Sequence, residues 1–168
     1  MNNNLPILAL DLATSTGWAL SDRNGVITSG VQTFDLKRGE SAGMRFLRFR
    51  KWIKEVMALG ELGKQFNDRN PGLIGYEQAH HRGGASTQLC VGMCTDVLAE
   101  AALYGLDHVA VHTASLKKFS TGKGKASKEE MIAKAKEIYP QIEIIDDNHA
   151  DALLLLNYVK SEVGLGNS

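Results

Sequence analysis

Residues 8–20, LALDLATSTGWAL, place a single carboxylate, Asp11, between two apolar segments. The apolar residues before Asp11 predict a buried strand. The small and hydroxylated residues 13–17 predict a turn, and a second strand opens at Trp18. An aspartate among apolar neighbours is costly to ionise unless a cation or hydrogen-bond donors compensate its charge. Asp11 is therefore either a functional carboxylate or a side chain that caps the turn, and this stretch alone does not decide between them.

Length and composition indicate one domain over residues 1–168, with a core over about 5–160. The formal net charge is zero, and no run of about 18 apolar residues predicts a membrane span. Residues 1–4 lack the basic and apolar segments of a signal peptide, so we expect a cytoplasmic protein with no membrane partner. Cys90 and Cys94 stand four residues apart in a helical pattern, which favours packing in the core over zinc binding.

The hydrophobic pattern predicts an α/β fold with a mixed sheet flanked by helices. Asn24-Gly25 favours a tight turn between the second and third strands, which makes an antiparallel meander. Later strands are separated by helices and should lie parallel to the first, so that their carboxyl ends form a ligand-binding edge. The predicted strands are 7–12, 17–21, 26–34, 73–77 and 108–112; the predicted helices are one capped by Ser41, 86–104, 128–138 capped by Ser127, and 148–163; and a Lys/Gly-rich loop is predicted over 116–127.

Acidic residues stand at the ends of these predicted elements. Asp11 and Glu77 each follow a buried strand. In the last helix, Asp147 lies one turn before Asp151, and Asn148 is nearly as well placed. Converging carboxylates without basic partners would repel one another, and divalent cations would remove that repulsion. Oxygen ligands select Mg²⁺ or Mn²⁺, and two such ions would suit attack on a phosphodiester.

Basic residues lie near this predicted site. Lysines interleave with glycines over 117–128, so backbone and ammonium groups could approach phosphates closely. Each of these residues could instead have a structural role. Glu77 could pair with Arg82, and Asp151 could be stabilised by the positive end of its helix dipole. The lysines could form a solvated loop. The predicted DNA contacts are Arg82, Lys117, Lys118, Lys123, Lys125 and Lys128.

Four segments together resemble the RuvC-type Holliday junction resolvases, particularly the short RuvC-like proteins of bacteriophages. They are LALDLATSTGWAL, IGYEQAHHRGGAST, VHTASLKKFSTGKGKASKEEM and DDNHADALLLL, which cover most of the chain between Leu5 and Tyr158 in family order. The resemblance implies a ribonuclease H-like fold and a homodimer. It also implies Mg²⁺-dependent paired nicking of four-way DNA junctions, as expected of a crossover junction endodeoxyribonuclease.

The resemblance also assigns the acidic residues. Asp11 matches the metal-binding aspartate of the first strand, Glu77 the glutamate that closes the fourth strand, and Asp151 the last aspartate of the final helix. The fourth acid is where the sequence departs from the family, because the corresponding position is Asn148. We expect Asp147 to take that role in binding two Mg²⁺ ions, with Asn148 as the alternative ligand.

Other functions are compatible with parts of the pattern. A ribonuclease H-like enzyme could prefer forks, flaps or RNA–DNA hybrids, and a junction-binding module could lack cleavage. The turn after Asp11 is also similar to the phosphate loop of sugar kinases and actin-like ATPases. Those proteins need two domains to clamp nucleotide, so we expect no nucleotide cofactor here. A dimer surface is expected on the helix over 86–104.

Overall fold

The computed structural model describes residues 4–78 and 83–164. Within these ranges, five strands and five helices follow one another. They are β1 (Ile7–Asp11), β2 (Ser15–Ser21), β3 (Ile27–Thr33), α1 (Gly43–Leu59), β4 (Leu73–Glu77), α2 (Ala85–Tyr104), β5 (Asp107–Val111), α3 (Thr113–Thr121), α4 (Lys128–Ile138) and α5 (Asp147–Glu162). None of the helices in the described ranges is long and apolar enough to cross a bilayer.

The strands form one mixed sheet in the order β3-β2-β1-β4-β5. The first three strands are antiparallel neighbours, with Gly25 at a φ of 81° in the turn between β2 and β3, and β4 and β5 extend the sheet parallel to β1. Both predictions about strand direction are confirmed. Because Leu10 pairs with Tyr76 and Glu77 pairs with Val111, the carboxyl ends of β1, β4 and β5 meet at one edge.

Helices cover both faces of this sheet. Ile7 and Ala9 of β1 belong to the core on the side of α4 and α5, whereas Leu8 and Leu10 belong to the core on the side of α1 and α2. Alternate residues of a strand point to opposite faces, so a continuous apolar strand is what a doubly covered sheet requires. The leucine run 153–156 is fully buried because α5 lies between the sheet and α4.

A glycine allows α5 to lie directly against β2. A Cβ added at Gly17 would be 1.9 Å from the backbone oxygen of Asn148. No side chain fits in that space, so the strand needs glycine at the point where the helix backbone approaches. Gly17 is also the register partner of Asp11. The contact therefore places the first turn of α5 beside the end of β1.

Residues 116–127 are the main correction to the predicted secondary structure. Their lysine and glycine content predicted a loop, but α3 extends through this region to Thr121, and only residues 122–127 are non-helical. Leu116 and Ser120 are buried one helical turn apart. An amphipathic face therefore overrides the loop-like composition.

The two predicted helix caps have different outcomes. Ser127 caps α4 as predicted: its hydroxyl accepts from the Glu130 backbone N–H at 3.2 Å, and the Glu130 carboxylate accepts from the Ser127 backbone N–H at 2.9 Å. The Ser41 prediction is wrong, because α1 begins at Gly43 after Ala42, with no side-chain cap and no acidic residue in its first turn. A serine thus makes the reciprocal cap only where an acid follows three residues later.

Candidate active site

Two carboxylates stand at the carboxyl edge of the sheet. Asp11 ends β1 and Glu77 ends β4, and in each strand the acid is the only residue that is partly exposed. The strands are parallel neighbours whose last paired residues are Leu10 and Tyr76. Asp11 and Glu77 are therefore next in register, at the edge where open α/β sheets bind ligands.

The first turns of α5 bring further carboxylates to this edge. Asp146 caps the helix, since its Oδ1 accepts from the His149 backbone N–H at 2.9 Å. Asp147 and Asp151 follow, four residues apart and on the same side of the helix. Because α5 contacts the sheet at Gly17, the first turn of the helix lies beside the end of β1.

The pKa values show that these acids share one electrostatic environment. Burial raises the pKa of Asp11 well above its ordinary value, and the charges of Glu77, Asp151 and Asp147 raise it further in that order. Burial also raises the pKa of Asp151 to about 7, with contributions from Glu77 and Asp147. The structure therefore brings together the four acids that the sequence singled out.

Asp147 forms an ion pair with a basic side chain. Lys128 Nζ lies 2.8 Å from Asp147 Oδ2. This hydrogen bond lowers the pKa of Asp147 and raises the pKa of Lys128. The Lys128 side chain is 76% exposed, so the pair contributes little to stability and is free to exchange for another anion. Whether Asp147 or Asn148 is the fourth ligand stays a prediction.

The donor chemistry of this edge fits a hard divalent cation. Carboxylate oxygens are the ligands that Mg²⁺ and Mn²⁺ prefer, and such an ion would relieve the repulsion that raises the pKa of Asp11 and Asp151. Over residues 4–78 and 83–164, no group of three or more His, Cys, Asp or Glu side chains is already arranged to hold a metal ion. The assignment of the four acids as metal ligands stays a prediction.

Two contacts near the acids were missed by sequence reasoning. The Thr113 hydroxyl donates a hydrogen bond to Glu77 Oε1. Cys90, which we expected to pack in the core, is partly exposed and donates from Sγ to the Leu12 backbone oxygen at 3.1 Å. Burial raises the pKa of the Cys90 thiol, and the charges of Asp11 and Glu77 add to this rise. No sequence signal pointed to either contact, because the first depends on the register of β4 and β5 and the second on how α2 packs against the sheet.

The predicted DNA-binding lysines lie on α3, on the loop after it and at the start of α4. Lys117 and Lys128 are close enough to lower the pKa of Asp151. Lys123 instead pairs with Glu130, with Nζ 3.0 Å from Oε1. Arg82 lies outside the described residues. In the predicted set, Lys118, Lys123, Lys125 and Lys128 are exposed and Lys117 is partly buried.

No protein-family model matches the chain, and no curated protein matches it. Solved structures do match. T. thermophilus RuvC in complex with a Holliday junction substrate has a TM-score of 0.72 over 96% of this chain and 98% of that chain, at 18% sequence identity. A further Thermus thermophilus RuvC structure has a TM-score of 0.66 over 95% of this chain and 97% of that chain, at 19% identity. The mixed five-stranded sheet flanked by helices is therefore the ribonuclease H-like fold in the form found in RuvC.

Proposed function

We propose that this protein is a metal-dependent endodeoxyribonuclease that nicks Holliday junctions and other branched DNA, which leaves 5′-phosphate and 3′-hydroxyl ends. The observation that carries the proposal is the clustering of Asp11, Glu77 and Asp151 at the carboxyl edge of the sheet, with the pKa of Asp11 and of Asp151 raised. Perturbed carboxylates clustered in this way are typical of a functional site. The similarity in fold to a RuvC bound to a Holliday junction substrate supports the choice of branched DNA.

The acids are proposed to act as metal ligands. Asp11 interacts with both of the other acids, since the charges of Glu77 and Asp151 raise its pKa, and it is proposed as the ligand shared by two ions. Glu77 and Asp151 would each hold one ion, with Asp147 or Asn148 as the fourth ligand. Two Mg²⁺ ions, or Mn²⁺ in their place, supply activation of the attacking water and stabilisation of the leaving oxygen when bound.

The lysines around this edge are proposed to bind the DNA backbone. Lys117 and Lys128 are near Asp151, so a phosphate that they hold would lie beside the acids. Lys128 would exchange its exposed contact with Asp147 for this phosphate. Each neutralised phosphate should contribute about −0.9 to the slope of log affinity against log salt concentration. The remaining proposed contacts are Lys118, Lys123, Lys125 and Arg82.

The active form is proposed to be a homodimer of this single nuclease domain. A four-way junction offers two symmetry-related strands, which a two-fold protein would match. α2 exposes apolar side chains that would suit such a surface: Val91 is 43%, Leu98 38% and Leu103 67% exposed. Sedimentation at concentrations that support cleavage tests the dimer, and a mass of one chain would exclude it.

Cleavage of a synthetic four-way junction tests the enzymatic proposal. The wild-type chain should nick the junction with Mg²⁺ and should not nick it with EDTA. Asp11→Asn should abolish nicking while retaining junction binding, because the substitution removes a ligand charge and no proposed DNA contact. Asp68→Asn, in an exposed loop, is the control and should cleave like the wild type.

Two outcomes would contradict this assignment. A folded wild-type protein that nicks no branched substrate with Mg²⁺ or Mn²⁺ would leave only a binding role. A fully active Asp11→Asn variant would show that the catalytic centre lies elsewhere. Competition among junction, fork, flap, RNA–DNA hybrid and linear duplex would show which nucleic-acid structure is preferred.

A further inference from the structure

A hydroxyl group at the start of α3 contacts the Glu77 carboxylate. Thr113 Oγ1 donates a hydrogen bond to Glu77 Oε1, and both residues are partly buried. Hydrogen bonds from a hydroxyl to an ionised carboxylate are roughly twice as strong as those between neutral groups. Thr113 therefore restricts the rotation of this carboxylate more than a solvent contact would.

Main-chain geometry explains why this threonine reaches this glutamate. Glu77 pairs with Val111 at the ends of β4 and β5, and the next contact, from the Gln78 backbone N–H to the Val111 oxygen, is 2.8 Å long. His112 is extended, with a φ of −71° and a ψ of 138°, and turns the chain into α3. Thr113 is then the first residue of the helix. The contact is thus set by the sheet register and the helix start.

The surroundings of Glu77 make such a restraint useful. Its charge raises the pKa of both Asp11 and Asp151, so the three carboxylates repel one another. Repulsion favours rotamers that separate the charges, and the hydrogen bond from Thr113 opposes that movement. The contact from Thr113 is made to Oε1, so it does not occupy the second oxygen of Glu77.

We propose that Thr113 is a positioning residue that holds Glu77 in the orientation needed for metal binding. This proposal rests on the nuclease function proposed above. Hydrogen bonds that orient a metal ligand typically contribute about 10–100-fold to metal affinity or activity. The role is distinct from holding α3 in place, because Leu116, 1% exposed, packs the helix into the core.

Direct metal binding by the full chain, without DNA, tests this role. Thr113→Val keeps the β-branched shape and removes the donor, whereas Thr113→Ser keeps the donor. Free Mn²⁺ measured by electron paramagnetic resonance should give a dissociation constant about tenfold higher for Thr113→Val and within about twofold of wild type for Thr113→Ser. The Mg²⁺ concentration for half-maximal nicking should shift by the same factors. Ser115→Ala, exposed on the same helix, is the matched control.

Melting temperatures in EDTA separate positioning from folding. Thr113→Val should melt close to the wild type, and Thr113→Ala gives a second donor-free variant if the valine chain does not fold. The role of Thr113 would be overturned if the donor-free variant bound Mn²⁺ as tightly as the wild type. It would be overturned equally if Thr113→Ser lost as much Mn²⁺ affinity as Thr113→Val. If the wild type binds no Mn²⁺, or Glu77→Gln leaves binding unchanged, the metal centre itself is wrong and both proposals are overturned.

Discussion

Asp151→Asn should stabilise the protein in EDTA at pH 8. Burial and neighbouring carboxylates raise the pKa of Asp151 from 3.8 to about 7. Each pKa unit of this rise corresponds to about 1.4 kcal/mol. Once Asp151 is ionised in both the folded and the unfolded state, the rise therefore lowers the free energy of unfolding by about 4 kcal/mol. Asparagine has nearly the same shape and no charge. For a chain of this length, the melting temperature should rise on the order of 10 °C.

The pH dependence of this gain follows from the direction of the shift. Below pH 3.8, Asp151 is protonated in both states and contributes nothing. Between pH 3.8 and about 7, Asp151 is ionised in the unfolded chain but keeps its proton in the folded protein. The loss of folding stability that it causes therefore grows with pH in this range. Above that range, Asp151 is ionised in both the folded and the unfolded state, and the loss of folding stability reaches its full size. The difference between variant and wild type should therefore be large at pH 8 and close to zero near pH 4.

Thermal melts in EDTA at several pH values measure this difference. Asp68→Asn, which neutralises an exposed acid, should leave the melting temperature nearly unchanged and serves as the control. The reasoning is refuted if Asp151→Asn is no more stable than wild type at pH 8. It is refuted equally if the gain has the same size at pH 4, because the cause would then not be ionisation.

Two further substitutions test the helix contact and the proposed DNA surface. Gly17→Ala should lower the free energy of unfolding by at least about 1–3 kcal/mol, because the new Cβ would be 1.9 Å from the Asn148 oxygen. Urea denaturation measures this change. Gly124→Ala, with its nearest atom at 3.8 Å, is the control, and equal effects would contradict the close approach. Lys128→Gln should leave the melting temperature nearly unchanged but make the log–log salt slope of junction binding shallower by about 0.9. Lys136→Gln, exposed on the same helix, should bind like the wild type, and an unchanged slope for Lys128→Gln would remove this lysine from the DNA contacts.

The acidic edge was accessible to sequence reasoning because each acid ends or begins a strongly patterned element. The apolar runs before Asp11 and Glu77 predicted strands with nearly the observed limits. The spacing of Asp147 and Asp151 predicted that they share one side of a helix. The helix before the fourth strand predicted that this strand runs parallel to the first, but only the structure showed that the two strands are neighbours and so bring Asp11 and Glu77 together.

The lysine-rich segment was harder to interpret because composition and periodicity disagree there. Glycines and lysines over 116–127 favour a loop, yet Leu116 and Ser120 supply enough buried face for α3. The helix extends to Thr121 and places Lys117 near Asp151. Tertiary packing of a short amphipathic segment decided the outcome, since isolated helices of this length are marginal in water.

By itself, the sequence determined the order and type of most elements and the acids at their ends, because alternation, helical spacing and capping are local properties of the chain. Only the tertiary structure decided which groups those acids meet. Thr113 reaches Glu77, and Lys128 reaches Asp147. These pairs join distant parts of the chain, and their contacts depend on sheet register and on how closely each helix docks, which no local pattern encodes.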